Sequence, residues 1–444
     1  MKNMEQINTF QKYPAYKDSG VEWIGEIPEG WNTQKGKWLF NKQERPVRRQ
    51  DEIVTCFRDG QVTLRANRKT EGFTNALKEH GYQGIRRGDL VIHNMDAFAG
   101  AIGVSESDGK STPVYSVCTP RQLNKVNPHY YAYFLRDLAK NGFIESLAKG
   151  IRERSTDFRF SDFSVLFLTL PPLPEQTRIA HFLDRKTAQI DQAIAQKERL
   201  IELLKERRQI LIHNAVTRGL DPNVKMKDSG VEWIGEVPEH WEVRRLKVFS
   251  TVQSGVTLGK TYTGNNIASF PYLRVANVQA GYLDLSVIAE IQISLSDVPK
   301  YLVRKGDILV TEGGDIDKLG RGTIWQGEIE NCLHQNHIFA IRVDLSIALS
   351  EFIEICLGAD YGRKYFTNTA NKTTNLASTN STKLGNFPVA MPTLSEQYDI
   401  VNYVAHLNQK IGAAIACKQS EIEKLKEYKA TLINSAVTGK IKVV

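Results

Sequence analysis

Residues 16–31 read YKDSGVEWIGEIPEGW, and residues 226–241 read MKDSGVEWIGEVPEHW. The two stretches begin 210 positions apart and share the unbroken run KDSGVEWIGE. Further along, PPLPEQ (171–176) returns as PTLSEQ (392–397), and LIHNAVTRG (211–219) returns as LINSAVTGK (432–440). Both of these recur 221 positions on. Self-similarity in a fixed order marks a duplicated structural unit, so the chain is two copies of one unit of about 210–220 residues. Between the repeated pieces, 32–160 and 242–380 share little beyond Arg87-Gly88-Asp89-Leu90-Val91 against Lys305-Gly306-Asp307-Ile308-Leu309. A frame kept twice around two divergent inserts implies one shared task for the frame and two different tasks for the inserts.

The repeated PEQ and SEQ motifs lead into long helices. Residues 176–218 contain neither Gly nor Pro, Pro174 stands just before them, and Gly219 and Pro222 follow. Those are helix start and stop signals. Apolar residues recur at Ile179, Phe182/Leu183, Ile190, Ile194, Ile201, Leu204 and Leu211, with an interruption at Lys197. The second copy, 397–438, carries Ile400, Tyr403/Val404, Leu407, Ile411, Ala414/Ile415, Ile422, Leu425 and Leu432/Ile433. Spacing that alternates near three and four gives one narrow apolar seam. A lone helix of this length with one seam needs a partner, and the sister helix is the nearest. An antiparallel coiled coil is expected.

Of 444 residues, 41% are hydrophobic and 24% charged, which excludes global disorder. Lys and Arg number 58 against 50 acids, a net charge of +8 that permits an anionic partner without demanding one. The five cysteines, Cys56, Cys118, Cys332, Cys356 and Cys417, are far apart and form no Cys-x-x-Cys. Reduced thiols in a cytoplasmic protein are expected, with no disulfide framework and no zinc site. No apolar run approaches the length of a membrane span.

The inserts read as mixed and β-rich. Short β-like runs are Ile53–Phe57, Gln61–Leu64, Asp89–His93 and Val114–Thr119, then Tyr272–Val278, Asp307–Thr311, Thr323–Gln326 and His337–Val343. Helical stretches follow in each: Tyr130–Leu138 with Phe143–Leu147, and Phe352–Leu357 with Tyr361–Phe366. Basic residues cluster in the first insert: Arg45, Arg48, Arg49, Arg58, Arg65, Arg68 and Lys69, with a second group at Arg152, Arg154 and Arg159. The second insert is richer in amides and offers Lys260, Tyr262, Arg274, Asn277, Lys318, Arg321, Lys372, Thr374 and Asn375. Lys and Arg suit phosphates, Arg reads guanine bidentately, and Asn reads adenine. Together these residues are the candidate DNA-binding set. Each taken alone also suits a solvated surface.

Catalytic motifs are missing. Asn127-Pro128-His129-Tyr130 superficially resembles the base-gripping motif of adenine methyltransferases. However, His stands where a second Pro belongs, and no Gly-rich cofactor loop precedes it. Asn followed by Pro also opens a helix naturally. No Gly-x-x-x-x-Gly-Lys-Ser/Thr loop occurs, and no nuclease set stands out. Thr311-Glu312-Gly313-Gly314-Asp315 and the pair His334 and His337 invite a metal reading, but no third ligand is in view.

Two divergent globular units, the DSGVEWIGE lead-in segments, the PPLPEQ and PTLSEQ helix leads and EGGDIDKLGRG (312–322) together resemble the specificity subunit of type I restriction–modification systems. The resemblance runs from about Tyr16 to the end of the chain. It implies an α+β fold: two mixed, β-rich target-recognition domains separated by two long antiparallel helices that form a coiled coil. The corresponding division is an N-terminal extension 1–15, a first recognition domain 16–175, a spacer helix 176–220, a second recognition domain 221–395 and a second spacer helix 396–444. Each recognition domain would read one half of a bipartite, asymmetric site in double-stranded DNA. The frame would space the two readers and dock two methyltransferase subunits, with motor–nuclease subunits joining for cleavage. S-adenosylmethionine, ATP and Mg would sit on those partners, with no cofactor on this chain and no catalysis by it. The rivals are a self-sufficient DNA methyltransferase or nuclease, and a coiled-coil adaptor that does not touch DNA.

Overall fold

The structure, a computed structural model, describes residues 10–68, 80–147, 157–257, 259, 266–279, 281–314, 319–320, 322–372 and 377–443. The chain forms two compact units. One is built from residues up to Glu198 together with those from Gln419 onward, and the other from Arg199–Lys418.

In both units the repeated lead-in folds the same way. Tyr16–Asp18 pairs antiparallel with Glu26–Pro28, and Met226–Asp228 pairs with Glu236–Pro238 in the same register. The shared DSG explains the turn. Asp18 and Asp228 each accept the amide N–H of the glycine two residues on, at 2.9 and 3.0 Å. Those glycines, Gly20 and Gly230, have φ near +70°, where a side chain is strained.

The hairpin then delivers a fully buried tryptophan, Trp31 or Trp241. Its indole N–H donates to the glutamate of the repeated Glu-Gln motif: Trp31 to Glu175 at 3.1 Å, and Trp241 to Glu396 at 3.1 Å. Burial opposes ionisation of Glu396, but hydrogen bonds from His240, Thr393 and Trp241 outweigh it and hold the carboxyl down to about 2. The neighbouring glutamine fastens the next loop. Gln176 accepts from Asn127 N–H and donates to the Lys125 and Pro171 carbonyls. Gln397 does the same for Leu349, Ile347 and Pro392. The repeated motifs are thus joints of the frame, each built from a buried hydrogen-bond set that tolerates no orphan.

The two inserts share one sheet despite their unlike sequences. In the first unit β1 (Asn32–Lys35) leads to β2 (Phe40–Gln43), β3 (Leu90–His93), β4 (Ile102–Val104) and β5 (Tyr115–Pro120). The sheet order is β2-β5-β3-β4, all antiparallel. Helix α1 (Pro128–Lys140) follows, then β6 (Phe167–Leu170), which pairs with β1 just before helix α2 (Leu173–Arg218).

In the second unit β7 (Glu242–Arg245) leads to β8 (Ser250–Ser254), the hairpin β9 (Ile267–Leu273) with β10 (Ala289–Ser294), β11 (Ile308–Thr311), β12 (Gly322–Ile324) and β13 (Ile338–Val343). The sheet order β8-β13-β11-β12 repeats the first topology. Helix α3 (Ser350–Gly358) and β14 (Pro388–Met391), paired with β7, lead into helix α4 (Leu394–Val437). The expected strand Tyr272–Val278 is corrected: the strand spans Ile267–Leu273, and Val275–Asn277 is a 3₁₀ turn. Pro271 is tolerated because only β10 pairs with the strand at that position.

Asn127 caps α1, its side-chain oxygen accepting the His129 N–H at 2.9 Å, with Pro128 as the first helical residue. The Asn-Pro pair is therefore a helix start.

The long helices pair antiparallel within each unit. In the first, Asp191 meets Lys429 at 2.6 Å and Lys197 meets Glu421, so rising numbers in one helix match falling numbers in the other. In the second, Arg208 and Asn408, and Ile212 and Val404, wall one crevice. Ile179, Leu183 and Ile190 share the core of the first unit with Leu432, and Ile212 shares that of the second with Ile400 and Val404; Ile201, Ile411 and Ile422 are buried too. Leu211, expected in the seam, yields its place to Ile212. From Ile190 the buried isoleucines recur every eleven residues, the period of a nearly straight or slightly right-handed pair rather than of a heptad coil.

The core of the second unit holds one titratable surprise. His334 is fully buried, with Nδ1 2.9 Å from the Ile338 carbonyl, and burial pushes it down to about 4. The unfolded chain takes up this proton near pH 6.5 and the folded chain only near 4. Stability of this unit therefore falls as pH drops through that window, by roughly 3 kcal/mol in total. Urea unfolding at pH 7 and pH 5 should show a loss that is smaller in His334→Asn. An equal loss in both proteins would contradict this assignment.

Candidate nucleic-acid interface

The sheet of the first unit carries a cleft of about 660 Å³, of mixed polar and apolar lining, at the end where β2, β5 and β3 leave off. Lys42 on β2, Ser116 on β5, Asn94 and Met95 after β3, and Arg159 and Ser161 beyond α1 line it. An adjoining hollow of about 380 Å³ shares Lys42 and Tyr115 and adds Tyr82 and Arg45. Ser116 Oγ donates to Asn94 Oδ1 at 2.8 Å, and Phe158 N–H donates to the Asn94 carbonyl at 3.0 Å. These bonds fix the orientation of the amide. Arg159 is exposed and held by Asp157 at 2.5 Å. The groups present suit nucleic acid: two cations for phosphates, an amide and hydroxyls for base edges, and the exposed apolar Met95.

The other arginines of the first insert do not converge on this cleft. Arg45 forks onto the buried Asp89, with Nη2 to Oδ1 at 3.0 Å. Asp89 also accepts the Arg86 N–H at 2.7 Å. Arg45 is thus held by a buried carboxylate while still lining the adjoining hollow. Arg58 pairs with Asp96 at 2.9 Å, Arg48 with Asp108 at 3.4 Å, and Arg68 with Asp59 at 2.7 Å while lying 4.3 Å over the Phe57 ring. Arg65 donates to Thr55 Oγ1 at 3.2 Å. Arg58, Arg65 and Arg68 thus surround the hairpin Val54–Cys56 with Val62–Leu64, and Arg49 is exposed. Lys69, Arg152 and Arg154 lie outside the described residues.

In the second unit Asn277 is buried and engaged with its own loop. It is 4% exposed, its NH₂ donates to the Asp284 and Val287 carbonyls, and its oxygen accepts from Arg274 N–H. No edge remains to read a base. Arg274 is exposed at the end of β9, and Lys372 is exposed on a short hairpin beside Asn371, which accepts from Lys383. His337 is exposed and paired with Glu312, and His334 is a core residue. Among the described residues no group of three His, Cys, Asp or Glu is placed to hold a metal. Lys260, Tyr262, Lys318, Arg321, Thr374 and Asn375 lie outside the described residues.

Sequence reading missed Lys42, Asn94, Met95, Ser116 and Ser161. They are scattered over about 120 positions and bear no local motif, so only the sheet brings them together.

The geometry defines a two-headed protein in which one frame, repeated joint by joint, carries two sheets of equal topology and unlike surface. No family profile matches the chain. The specificity subunit of the type I restriction enzyme EcoKI from Escherichia coli K12 is 24% identical over 404 residues, spanning 86% of this chain and 83% of that protein. Two solved structures share the fold. The HsdS subunit of Thermoanaerobacter tengcongensis has a TM-score of 0.55 at 15% identity, covering 94% of this chain and 98% of that one. A chain from a study of assembly and conformational transition of the type I R-M system has a TM-score of 0.66 at 14% identity, covering 93% and 98%. Over most of its length the chain is similar in sequence to specificity subunits of type I restriction enzymes. Among the described residues no helix is long and apolar enough to cross a membrane.

Proposed function

We propose that the chain reads a bipartite, asymmetric sequence in double-stranded DNA for a type I restriction–modification complex, one half-site with each unit. The observation that carries this reading is the pairing of a duplicated frame with two sheets of common topology and different surface chemistry. Two unlike half-sites require two unlike readers, and two copies of one partner require two like seats. In this reading the frame seats two methyltransferase subunits, and through them the motor–nuclease subunits. S-adenosylmethionine, ATP and Mg belong to those partners, and base extrusion and methyl transfer are their work. The exposed cations Lys42, Arg48, Arg49, Arg58, Arg68, Arg159, Arg274 and Lys372, with the half-buried Arg65, neutralise phosphates. Of the candidates, Lys42 and Arg159 are placed beside groups able to read base edges. The candidate positions outside the described residues, Lys69, Arg152, Arg154, Lys260, Tyr262, Lys318, Arg321, Thr374 and Asn375, remain in the proposed set.

Mapping methylated adenines genome-wide, with and without this chain, tests the reading. A split motif that disappears with the chain is expected, and an unchanged methylation pattern would overturn it. Within the complex, Lys42→Ala with Arg159→Ala should weaken DNA binding and lower the slope of log affinity against log salt by about 2, as two lost phosphate contacts require. An unchanged slope would remove the cleft from the interface.

A further inference from the structure

The two units fill one corresponding place differently. In the first, α1 lies against the helix pair, bound to α4 through Asn434, which donates to Asp137 at 2.8 Å. The Tyr133 hydroxyl donates to Asp184 on α2 at 2.8 Å and lies 3.4 Å from the Thr187 hydroxyl. Arg136 stands one turn further along the same face of α1, half-buried. Burial weakens its charge, and Tyr133, Asp59 and Asp191 are among the groups that support it. Lys429 of α4 pairs with Asp191 at 2.6 Å. A phenol ring thus occupies the space, and acids of α2 answer its cations.

The second unit keeps the cation and loses the rest. Buried glutamines align the two: Asn127 N–H donates to Gln176, and Leu349 N–H to Gln397. Tyr133 therefore corresponds to Ile355, and Arg136 to Gly358. On the long helices, 221 positions apart, Asp184 corresponds to Ala405, Thr187 to Asn408, Asp191 to Gly412 and Lys429 to Arg208. Ring and acids are all gone. What remains is a cavity of about 590 Å³ walled by Arg208, Ile355, Gly358, Arg363 and Asn408. It lies wholly within Arg199–Lys418.

Arg208 Nε is buried and has no hydrogen-bond partner among the described residues. A buried donor left unmet is costly, and an anion meets a guanidinium best. Arg363, on the helix Asp360–Thr369, donates to Gln209 at 2.9 Å, which brings a second guanidinium to the wall. Glu354 also faces the cavity, and burial with the neighbouring Glu351 pushes its carboxyl up to about 7. At neutral pH it is a hydrogen-bond donor as often as a charge. At Gly358 a Cβ would meet nothing within 4 Å, so the space is open there. The volume suits a small molecule.

We propose that this cavity binds a small anion carrying a flat ring, a mononucleotide being the class that joins both features. The phosphate takes the place of the missing acids beside Arg208 and Arg363. The ring takes the place of the Tyr133 phenol, over Ile355, with Asn408 and Glu354 toward its polar edge. Because Arg363 belongs to the head and Arg208 to α2, the ligand ties the head to its helix. The site exists on one unit only and is separate from the DNA-facing cleft of the other.

Isothermal titration calorimetry of the full chain with adenosine monophosphate, inorganic phosphate and adenosine tests this. One adenosine monophosphate per chain is expected, bound at least about tenfold more tightly than phosphate or adenosine. Arg208→Gln should weaken it about tenfold or more, as the loss of a charged hydrogen bond requires. Ile355→Tyr with Ala405→Asp rebuilds the filling seen in the first unit and should abolish binding, with thermal melting showing that the fold survives. In the unaltered chain, which needs no substitution, the nucleotide should raise hydrogen-exchange protection over 350–369. Absence of binding at millimolar nucleotide, or equal affinity in Arg208→Gln, would overturn the proposal. So would phosphate or adenosine matching the nucleotide. Displacement of the nucleotide by a short DNA duplex would assign the cavity to the DNA interface and overturn it as well.

Discussion

Deleting residues 432–444 is expected to unfold the first unit, although its sheet and hairpin end more than 250 residues earlier in the chain. Leu432, Ala436, Val437, Ile441 and Val443 are buried in its core beside Ile27, Trp31 and Leu168. The Tyr130 hydroxyl donates to the Val437 carbonyl at 2.8 Å, Tyr16 to the Gly439 carbonyl at 3.2 Å, and Lys442 N–H to the Gln11 carbonyl at 2.7 Å. Gly439, at φ +76°, lies under Pro28 and Trp31 where a Cβ would collide. Removing several buried apolar side chains at roughly 1.5–3 kcal/mol each takes away about as much as a domain's whole stability of ~5–15 kcal/mol. Hydrogen exchange read segment by segment checks this. Residues 10–147 should lose protection while 242–391 keep theirs, and full protection of both would refute the expectation.

Asp307→Ala should destabilise the second unit by about 3–5 kcal/mol. The carboxylate is buried and accepts Arg342 Nη2 at 2.6 Å, Arg342 Nε at 2.9 Å and Arg304 N–H at 2.8 Å. Its loss strands a half-buried guanidinium and a turn amide together, and removing one partner of such a pair costs far more than the pair contributes when intact. Asp89→Ala should act alike in the first unit, where Arg45 and Arg86 N–H lose their acceptor. Denaturant midpoints should fall in the altered unit alone with the slope unchanged. A loss below about 1 kcal/mol would show the pair to be dispensable.

That aspartate also shows what sequence reading reaches. The correspondence of Arg87-Gly88-Asp89 with Lys305-Gly306-Asp307 was visible in the letters, but its meaning was not. Its purpose depends on an arginine supplied by β13 in one unit and by the segment after β2 in the other. The frame was legible because it is written twice, and the long helices because 176–218 has no Gly or Pro and 397–438 only Gly412. Most strands of the sheets were legible as short β-like runs, but their equal order was not, since the pairing joins segments far apart in sequence. The arginine cluster of the first insert reads as more available than it is. Its neutralising acids stand far away in sequence, Asp89 for Arg45, Asp96 for Arg58 and Asp108 for Arg48. Lys197, an apparent break in the seam, is where the helix pair is pinned through Glu421. Of the cleft around Lys42 and Arg159 only Arg159 was signalled, because the other parts meet only after β2, β5 and the segment following α1 have come together.

The division of the chain has a consequence on the ribosome. The second unit is one continuous stretch, Arg199–Lys418, and has all its residues once that stretch has emerged. The first waits for the last part of α4 and the segment after it, from Gln419 onward. The usual order, in which the N-terminal domain matures first, is inverted: the head translated earlier is the one completed later. Until then its open flank is the part of the nascent chain most in need of a chaperone.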